Sequence, residues 1–208
     1  GMICATEQHI TVLSSVYKEV KALLKDARCY FLSKDEAEKV AEVFFNPKTH
    51  GVKPAAVGQT AVKLAEMAGI EVPAETKVLV YETDDTSHDN PWANEKLTTL
   101  LGMFKANTLD EAFEICAKLV LEGGAGHTAA MYVDPVEEDK IDAFAEKMKA
   151  GRILINTPTC FGGIGDLYNF DLAPSLTLGP GSVGHSSYMG NTHYEQLLDI
   201  KTVAIRKE

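Results

Sequence analysis

The chain has 208 residues, which is enough for one large domain with a sizeable hydrophobic core. Hydrophobic residues make up 45% of it and charged residues 24%, the balance of an ordinary globular protein. The formal net charge of −10 argues against a partner that is nucleic acid or a membrane surface, because both need clustered Lys and Arg. No apolar run reaches the length of a membrane span and no signal-peptide pattern is present, so a cytoplasmic location is expected.

The first third of the chain predicts one strand followed by two helices. Residues 10–13 form an apolar, strand-like run. A helix is predicted over residues 16–25, with Ser14 or Ser15 as its N-cap. After a short apolar run, a capping box predicts a helix that starts at residue 33 and ends near residue 45.

The middle third of the chain predicts further helices and a strand. Residues 60–68 predict a helix that Gly69 ends, and residues 77–82 predict a strand. A second capping box at Thr108 opens a helix that stops at the glycine pair 123–124.

The last regular elements complete the pattern. A strand is predicted at residues 128–133, a helix from about 135 to 150 with Gly151 past its end, and an apolar strand at 153–155. Strands rich in Val, Ile and Leu, separated by amphipathic helices, are typical of right-handed βαβ units. The sequence therefore predicts an α/β fold, a three-layer αβα arrangement around a mostly parallel sheet, as a single domain over residues 1–208.

Two later segments differ from this pattern. Residues 156–190 are rich in Gly and Pro and predict a long irregular stretch, which in a compact domain is usually functional. Neither a dinucleotide fingerprint nor a P-loop occurs in the chain. Polar and apolar residues alternate over residues 201–206, which predicts a short edge strand. We expect this strand to pair with another subunit in a homo-oligomer.

Cys4 is the strongest candidate for a catalytic group. It lies in a turn of small residues directly ahead of the first strand. A thiolate nucleophile needs such access, together with nearby N–H groups that can stabilise an oxyanion. Cys160, also in a loop, is the only rival, because Cys29 and Cys116 are predicted to be small core residues. No cysteine pair has C-x-x-C spacing and no histidines have ligand spacing, so no metal site is predicted. The histidines other than His127 are predicted to lie on the surface: His9, His50, His88, His185 and His193.

Several motifs occur in the order found in one family. Residues 1–8 resemble Asn-Gly-x-x-Cys-x-x-x-Gln from its glycine onward, and residues 95–99 resemble Glu-[Ile/Lys]-[Phe/Leu]-x-Pro without the proline. Residues 124–128 carry Gly-His-Thr, and the motifs at residues 153–158, 162–170 and 173–179 follow in the same order. Together they resemble the C-terminal, catalytic half of a CoA-acylating aldehyde dehydrogenase, similar to the acetaldehyde dehydrogenase part of bifunctional aldehyde-alcohol dehydrogenases.

The resemblance implies an activity and a set of site residues. Cys4 would attack an aldehyde, NAD would accept a hydride, and coenzyme A would release the acyl group as acyl-CoA, with the reverse reaction as the fermentative direction. Glu95 would bind the nicotinamide ribose, Leu178 and Gly179 would contact the cofactor, and His127 would position or deprotonate the CoA thiol. The NAD-binding half is expected upstream of residue 1.

Other interpretations remain open. Glu95 could be a solvated loop carboxylate, Leu178 and Gly179 could simply pack, and His127 could be bonded to backbone at the start of a strand. The whole could be a hydrolytic NAD-dependent aldehyde dehydrogenase, a cysteine hydrolase or acyltransferase without a redox cofactor, or a non-enzymatic scaffold. Gly126–Thr128, the Gly-His-Thr sequence, favours acylation.

Overall fold

The computed structural model describes residues 1–163, 165, 172, 181–188, 190 and 194–207. Strands and helices alternate along it. Its strands are β1 His9–Leu13, β2 Cys29–Phe31, β3 Val78–Glu82, β4 Leu100–Ala106, β5 Gly126–Met131 and β6 Ala150–Ile155. Its α-helices are α1 Tyr17–Asp26, α2 Lys34–Phe44, α3 Ala61–Met67, α4 Leu109–Gly124, α5 Glu138–Lys147 and α6 Thr159–Gly162. Short 3₁₀ turns lie at Pro54–Ala56, Pro91–Ala93 and Tyr194–Leu197.

The strands form two parallel sheets. The larger sheet has the order β1-β4-β3-β2, and β5 pairs with β6 in the smaller one. Every strand pair in both sheets is parallel, which confirms the predicted parallel arrangement. Parallel strands need a crossover connection between them. An α-helix lies in each of these connections except the one from β3 to β4, which is a loop that contains the Pro91–Ala93 turn.

Helices cover both faces of the larger sheet. On β3, the adjacent residues Leu79 and Val80 are fully buried and point to opposite faces. Leu79 packs in a core that α2 and α3 share, whereas Val80 packs with apolar residues of α1. The predicted three-layer αβα architecture is therefore confirmed. Helix α2 begins at the predicted capping box, in which the side chains of Ser33 and Glu36 each accept a hydrogen bond from the other residue's backbone N–H.

Strand β4 is the main element that the sequence did not predict. It lies between β1 and β3, and Gly102 interrupts its apolar run. Glycine weakens strand propensity, but here it is required, because a Cβ would lie 2.5 Å from the carbonyl oxygen of Trp92. The glycine that weakens the strand signal in the sequence is therefore the residue that lets β4 lie close to the backbone of Trp92.

The boundary between α5 and β6 also differs from the prediction. The helix ends at Lys147, so Ala150 and Gly151 belong to β6 rather than to the helix end. A Cβ on Gly151 would lie 2.8 Å from the carbonyl oxygen of Gly126, so this glycine permits close pairing of β5 with β6. The predicted strand at 128–133 likewise begins earlier, at Gly126.

Neither serine predicted to cap α1 does so. The N-cap is Val16, with no side-chain cap. The backbone N–H of Ser14 instead donates to the carbonyl of Ala106 at 2.7 Å, which extends the pairing of β1 with β4.

The C-terminal part differs from its predictions as well. The short helix α6 lies inside the stretch predicted to be irregular. Residues 201–207 form no strand with any described part of the chain, so the predicted strand at 201–206 is not present here. Among the described helices, none combines the length and apolar character that crossing a bilayer would need.

Candidate active site

Cys4 lies at the second position of a tight turn. The N–H of Thr6 donates to the carbonyl of Ile3 at 2.8 Å, which closes the turn around Cys4. The Cys4 side chain is exposed, whereas the next residue, Ala5, is only 3% exposed. A Cβ on Gly163 would lie 2.7 Å from the Cβ of Ala5, so Ala5 packs directly against this glycine. The turn is thus anchored through Ala5 and presents Cys4 to solvent.

The glycine that precedes this turn has a steric role. A Cβ on Gly1 would lie 2.4 Å from the carbonyl oxygen of Thr98, so only glycine fits against this backbone. A Cβ on Gly58, whose φ is +72°, would lie 2.4 Å from the sulfur of Met2. These contacts place the segment before Cys4 alongside the loop that carries Glu95.

Glu95 lies in the loop between the Pro91–Ala93 turn and β4. Its side chain is accessible, yet the protein around it desolvates the carboxylate and raises its pKa, an effect that the nearby Lys96 ammonium opposes. Leu97 has a φ of +49°, in the left-handed region that non-glycine residues rarely adopt. The loop is therefore held in a specific, locally unfavourable backbone shape.

His127 lies near the start of β5, as predicted, and is half-buried. Its Nδ1 is 2.9 Å from the hydroxyl oxygen of Thr128. Burial lowers the pKa of its imidazole, which favours the neutral ring near pH 7. If Thr128 accepts from Nδ1–H, Nε2 carries the lone pair that a general base needs.

Cys4, Glu95 and His127 line one cavity of about 580 Å³. They come from three segments that are far apart in the sequence. Residues of β1, α4 and β5 form its mostly apolar walls. The volume lies in the range of small-molecule sites, which combine apolar walls with a few polar groups. The structure thus brings together the three described residues that the sequence singled out.

The remaining cysteines are poorer nucleophiles than an exposed thiol. Burial raises the pKa of the Cys160 thiol, and the negative charge of Glu7 raises it further. Burial also raises the pKa of Cys29 and of Cys116, which pack against apolar clusters as predicted. A higher pKa leaves less of the reactive thiolate at neutral pH.

One histidine was misassigned from the sequence. His9 was predicted to lie on the surface, but it is mostly buried beside the ring of Phe104. Burial, followed by the charge of Lys96, lowers its pKa well below 6.5. His193 lies outside the described residues. Within the described part of the chain, no three His, Cys, Asp or Glu side chains are placed to hold a metal ion.

Known proteins resemble this chain in both sequence and structure. It is 44% identical over its full length to an aldehyde-alcohol dehydrogenase of Clostridium acetobutylicum and to the bifunctional aldehyde-alcohol dehydrogenase AdhE of Escherichia coli. An acetylating aldehyde dehydrogenase from Geobacillus thermoglucosidasius superposes with a TM-score of 0.86, at 34% identity and over 100% of this chain. In sequence and in fold, the chain resembles acylating aldehyde dehydrogenases. No family model matches the sequence.

The chain spans only part of these relatives. It covers 24% and 23% of the two curated aldehyde-alcohol dehydrogenases and 46% of the Geobacillus chain. Two of the positions that the family pattern singled out, Leu178 and Gly179, lie outside the described residues, and their cofactor contacts stay predictions.

The Glu95 motif departs from the acylating aldehyde dehydrogenase pattern at its end. Where that pattern has a proline near the end of the Glu95 motif, this chain has Thr98 and Thr99. Their hydroxyls donate to the carbonyl of Gln59 at 3.5 and 3.2 Å. These bonds tie the loop that carries Glu95 to the segment at Gln59.

Two side chains at the site had no predicted role. Glu7, three residues after Cys4, accepts a hydrogen bond from the N–H of Thr159 at 2.7 Å and ties the turn to α6. Lys96 bonds the backbone of Gln8 on the other side. Both residues lie inside family motifs, but the sequence gave no sign that their side chains connect separate segments.

Proposed function

We propose that this chain carries the catalytic cysteine of an NAD-dependent, CoA-acylating acetaldehyde dehydrogenase. The enzyme would interconvert aldehyde, coenzyme A and NAD with acyl-CoA and NADH. The observation that carries the proposal is the convergence of Cys4, Glu95 and His127 on one cavity in a chain that resembles acylating aldehyde dehydrogenases. Each residue supplies a different chemical group, and the three suit the successive steps of one reaction.

Cys4 is the nucleophile in this proposal. Its thiolate attacks the aldehyde carbon, a C–S bond forms, and the carbonyl electrons move to oxygen. The resulting oxyanion needs fixed N–H donors, and the turn around Cys4 provides backbone N–H groups there. When the C–H electron pair leaves, the carbonyl re-forms and Cys4 holds an acyl thioester.

The chain offers one described group that fits the nicotinamide ribose. Glu95 presents a carboxylate at the cavity wall, where it can accept hydrogen bonds from sugar hydroxyls. Bound NAD would supply the two-electron acceptor for the aldehyde C–H bond. Glu95 and its loop would orient that acceptor toward the carbon attached to Cys4.

His127 would serve the transfer to coenzyme A. Its neutral imidazole can accept the proton of the CoA thiol at Nε2, while Nδ1 is held by Thr128. The CoA thiolate then attacks the thioester, its C–S bond forms, and the bond to Cys4 breaks. Acyl-CoA leaves and the Cys4 thiolate is restored.

A measurement of NADH formation separates this proposal from its competitors. The full-length enzyme would be given acetaldehyde and NAD, with and without coenzyme A. Sustained NADH formation only with coenzyme A supports acylation. Turnover without it indicates the hydrolytic reaction, and an absence of NADH in both cases indicates a cysteine hydrolase or a non-enzymatic role.

We further propose that residues 201–206 pair with a second copy of the chain. Val203 and Ile205 are 84% and 87% exposed, which is unfavourable for apolar side chains that alternate along one segment. Strand pairing between copies would bury them and satisfy their backbone groups. The oligomeric state of the full-length enzyme, compared with a Val203→Asp variant, tests this proposal, because intact association of the variant would contradict it.

A further inference from the structure

Lys96 is the most deeply buried charged side chain near the site. It is 0% exposed, and its Nζ donates to the carbonyl oxygens of Gln8 and Asn94 at 3.0 and 2.6 Å. Burial lowers its pKa to about 7, and the negative charge of Glu95 opposes this shift. The charged and neutral forms of the amine both keep at least two N–H bonds, so both carbonyls stay bonded in either form.

These bonds join the two halves of the site. Gln8 follows Cys4 by four residues on the nucleophile segment, and Asn94 is next to Glu95. The N–H of Lys96 also donates to the side-chain oxygen of Gln8 at 2.8 Å. One residue thus connects the Cys4 segment to the Glu95 loop through its backbone and its side chain.

Packing alone does not account for a lysine at this position. Removal of an ammonium from water costs free energy, and a methionine of similar length would fill the space without that cost. The left-handed backbone conformation of Leu97, the next residue, adds a second free-energy cost to the same loop. What a lysine adds over an apolar residue is the pair of bonds to Gln8 and Asn94.

We propose that Lys96 is a positioning residue, which holds the Cys4 segment and the Glu95 loop in the relative position that oxidation of the aldehyde requires. The inference rests on the proposed function, in which Cys4 holds the substrate and Glu95 orients the electron acceptor. A step that uses both segments then depends on Lys96. A reaction of Cys4 alone does not.

Two measurements on the full-length enzyme test this difference. The first is the rate at which iodoacetamide alkylates Cys4, followed by peptide mass spectrometry. The second is single-turnover NADH formation from acetaldehyde at saturating NAD, divided by the amount of reactive Cys4. Lys96→Met should lower NADH formation per reactive Cys4 by about 10- to 100-fold, the usual effect of a small misplacement. Its alkylation rate should stay close to that of the wild type.

Lys39→Met is the matched control, because Lys39 is an exposed lysine on α2, and both of its rates should be unchanged. Equal loss of alkylation and NADH formation in Lys96→Met, or no loss of either, would overturn the inference. If Lys96→Met does not fold, Lys96→Gln is measured instead, because its side chain ends one atom short of the Nζ position, and an unchanged NADH rate per reactive Cys4 in that variant would overturn the inference. A wild type that forms no NADH would overturn the proposed function itself.

Discussion

At the scale of single residues, reactivity is set by what surrounds each thiol. Cys4 is exposed on a turn that Ala5 and Gly163 hold in place, whereas Cys160 lies beside the carboxylate of Glu7, which opposes a second negative charge. The two cysteines look alike in sequence, since each is predicted to lie in a loop, although Cys160 lies in α6. Their difference comes from neighbours distant in the chain.

We expect Cys4→Ala to lower turnover of the full-length enzyme by several orders of magnitude, because the covalent step is lost. Cys160→Ala is the matched control and should keep nearly full activity. Steady-state NADH formation from acetaldehyde and coenzyme A measures both. Full activity of Cys4→Ala together with an inactive Cys160→Ala would reverse the assignment.

His127→Ala should separate the two halves of the reaction. In the proposed mechanism the imidazole acts on the CoA thiol, so the first turnover should still give a burst of NADH, followed by slow CoA-dependent turnover. Rapid-mixing absorbance of NADH resolves both phases. Equal damage to the burst and to the steady state would mean that His127 supports the structure rather than the transfer.

At the scale of elements, the sequence correctly predicted helix ends that depend on residues adjacent in the chain. The capping box of α2, the N-cap of α4 at Thr108 and the glycine that ends α3 all occupy their predicted places. The sequence did not predict β4, and it predicted too late a start for β6. Each of these strands contains a glycine that is required because another backbone passes close to it. Such a glycine lowers local strand propensity for a reason that lies in another part of the chain, so periodicity alone could find neither β4 nor the true start of β6.

The two predicted caps offer a direct comparison of stability. Ser33→Ala should lower the free energy of unfolding by about 1 kcal/mol, because it leaves a backbone N–H of α2 without its acceptor. Ser15→Ala is the matched control, since no side chain caps α1, and its effect should stay within about 0.5 kcal/mol. Urea unfolding of the 208-residue chain measures both. Equal losses would contradict the capping assignments.

At the scale of the whole molecule, the site exists only because the fold joins distant segments. The motifs supplied the identities of Cys4, Glu95 and His127, but not the cavity that they share. They also did not predict that Lys96 is fully buried next to a partly buried His9, because burial depends on the complete packing of β1 against the loop before β4. The motifs therefore predicted the candidate site residues, and the structure shows how the segments that carry them are connected.

Burial of Lys96 predicts a dependence of stability on pH. Its folded-state pKa is about 7, below the ordinary value of 10.5, so between these values the unfolded chain binds more protons. Stability should therefore rise with pH, most clearly from about pH 7 to 8.5, before titration of the cysteine thiols opposes the trend. Thermal melts of the 208-residue chain should show this rise. Lys96→Met should flatten it, Lys39→Met should keep it, and an identical slope in all three would contradict the burial of a titrating amine.

The most direct test of the central claim is transfer of an acyl group to Cys4. The full-length enzyme would be incubated with acetyl-CoA in the absence of NADH, so that the thioester forms but is not reduced, and its peptides analysed by mass spectrometry. We predict acetylation of Cys4, with none on Cys29, Cys116 or Cys160, and rapid loss of the label when free coenzyme A is added. An unlabelled Cys4, or a label on Cys160 instead, would contradict the account.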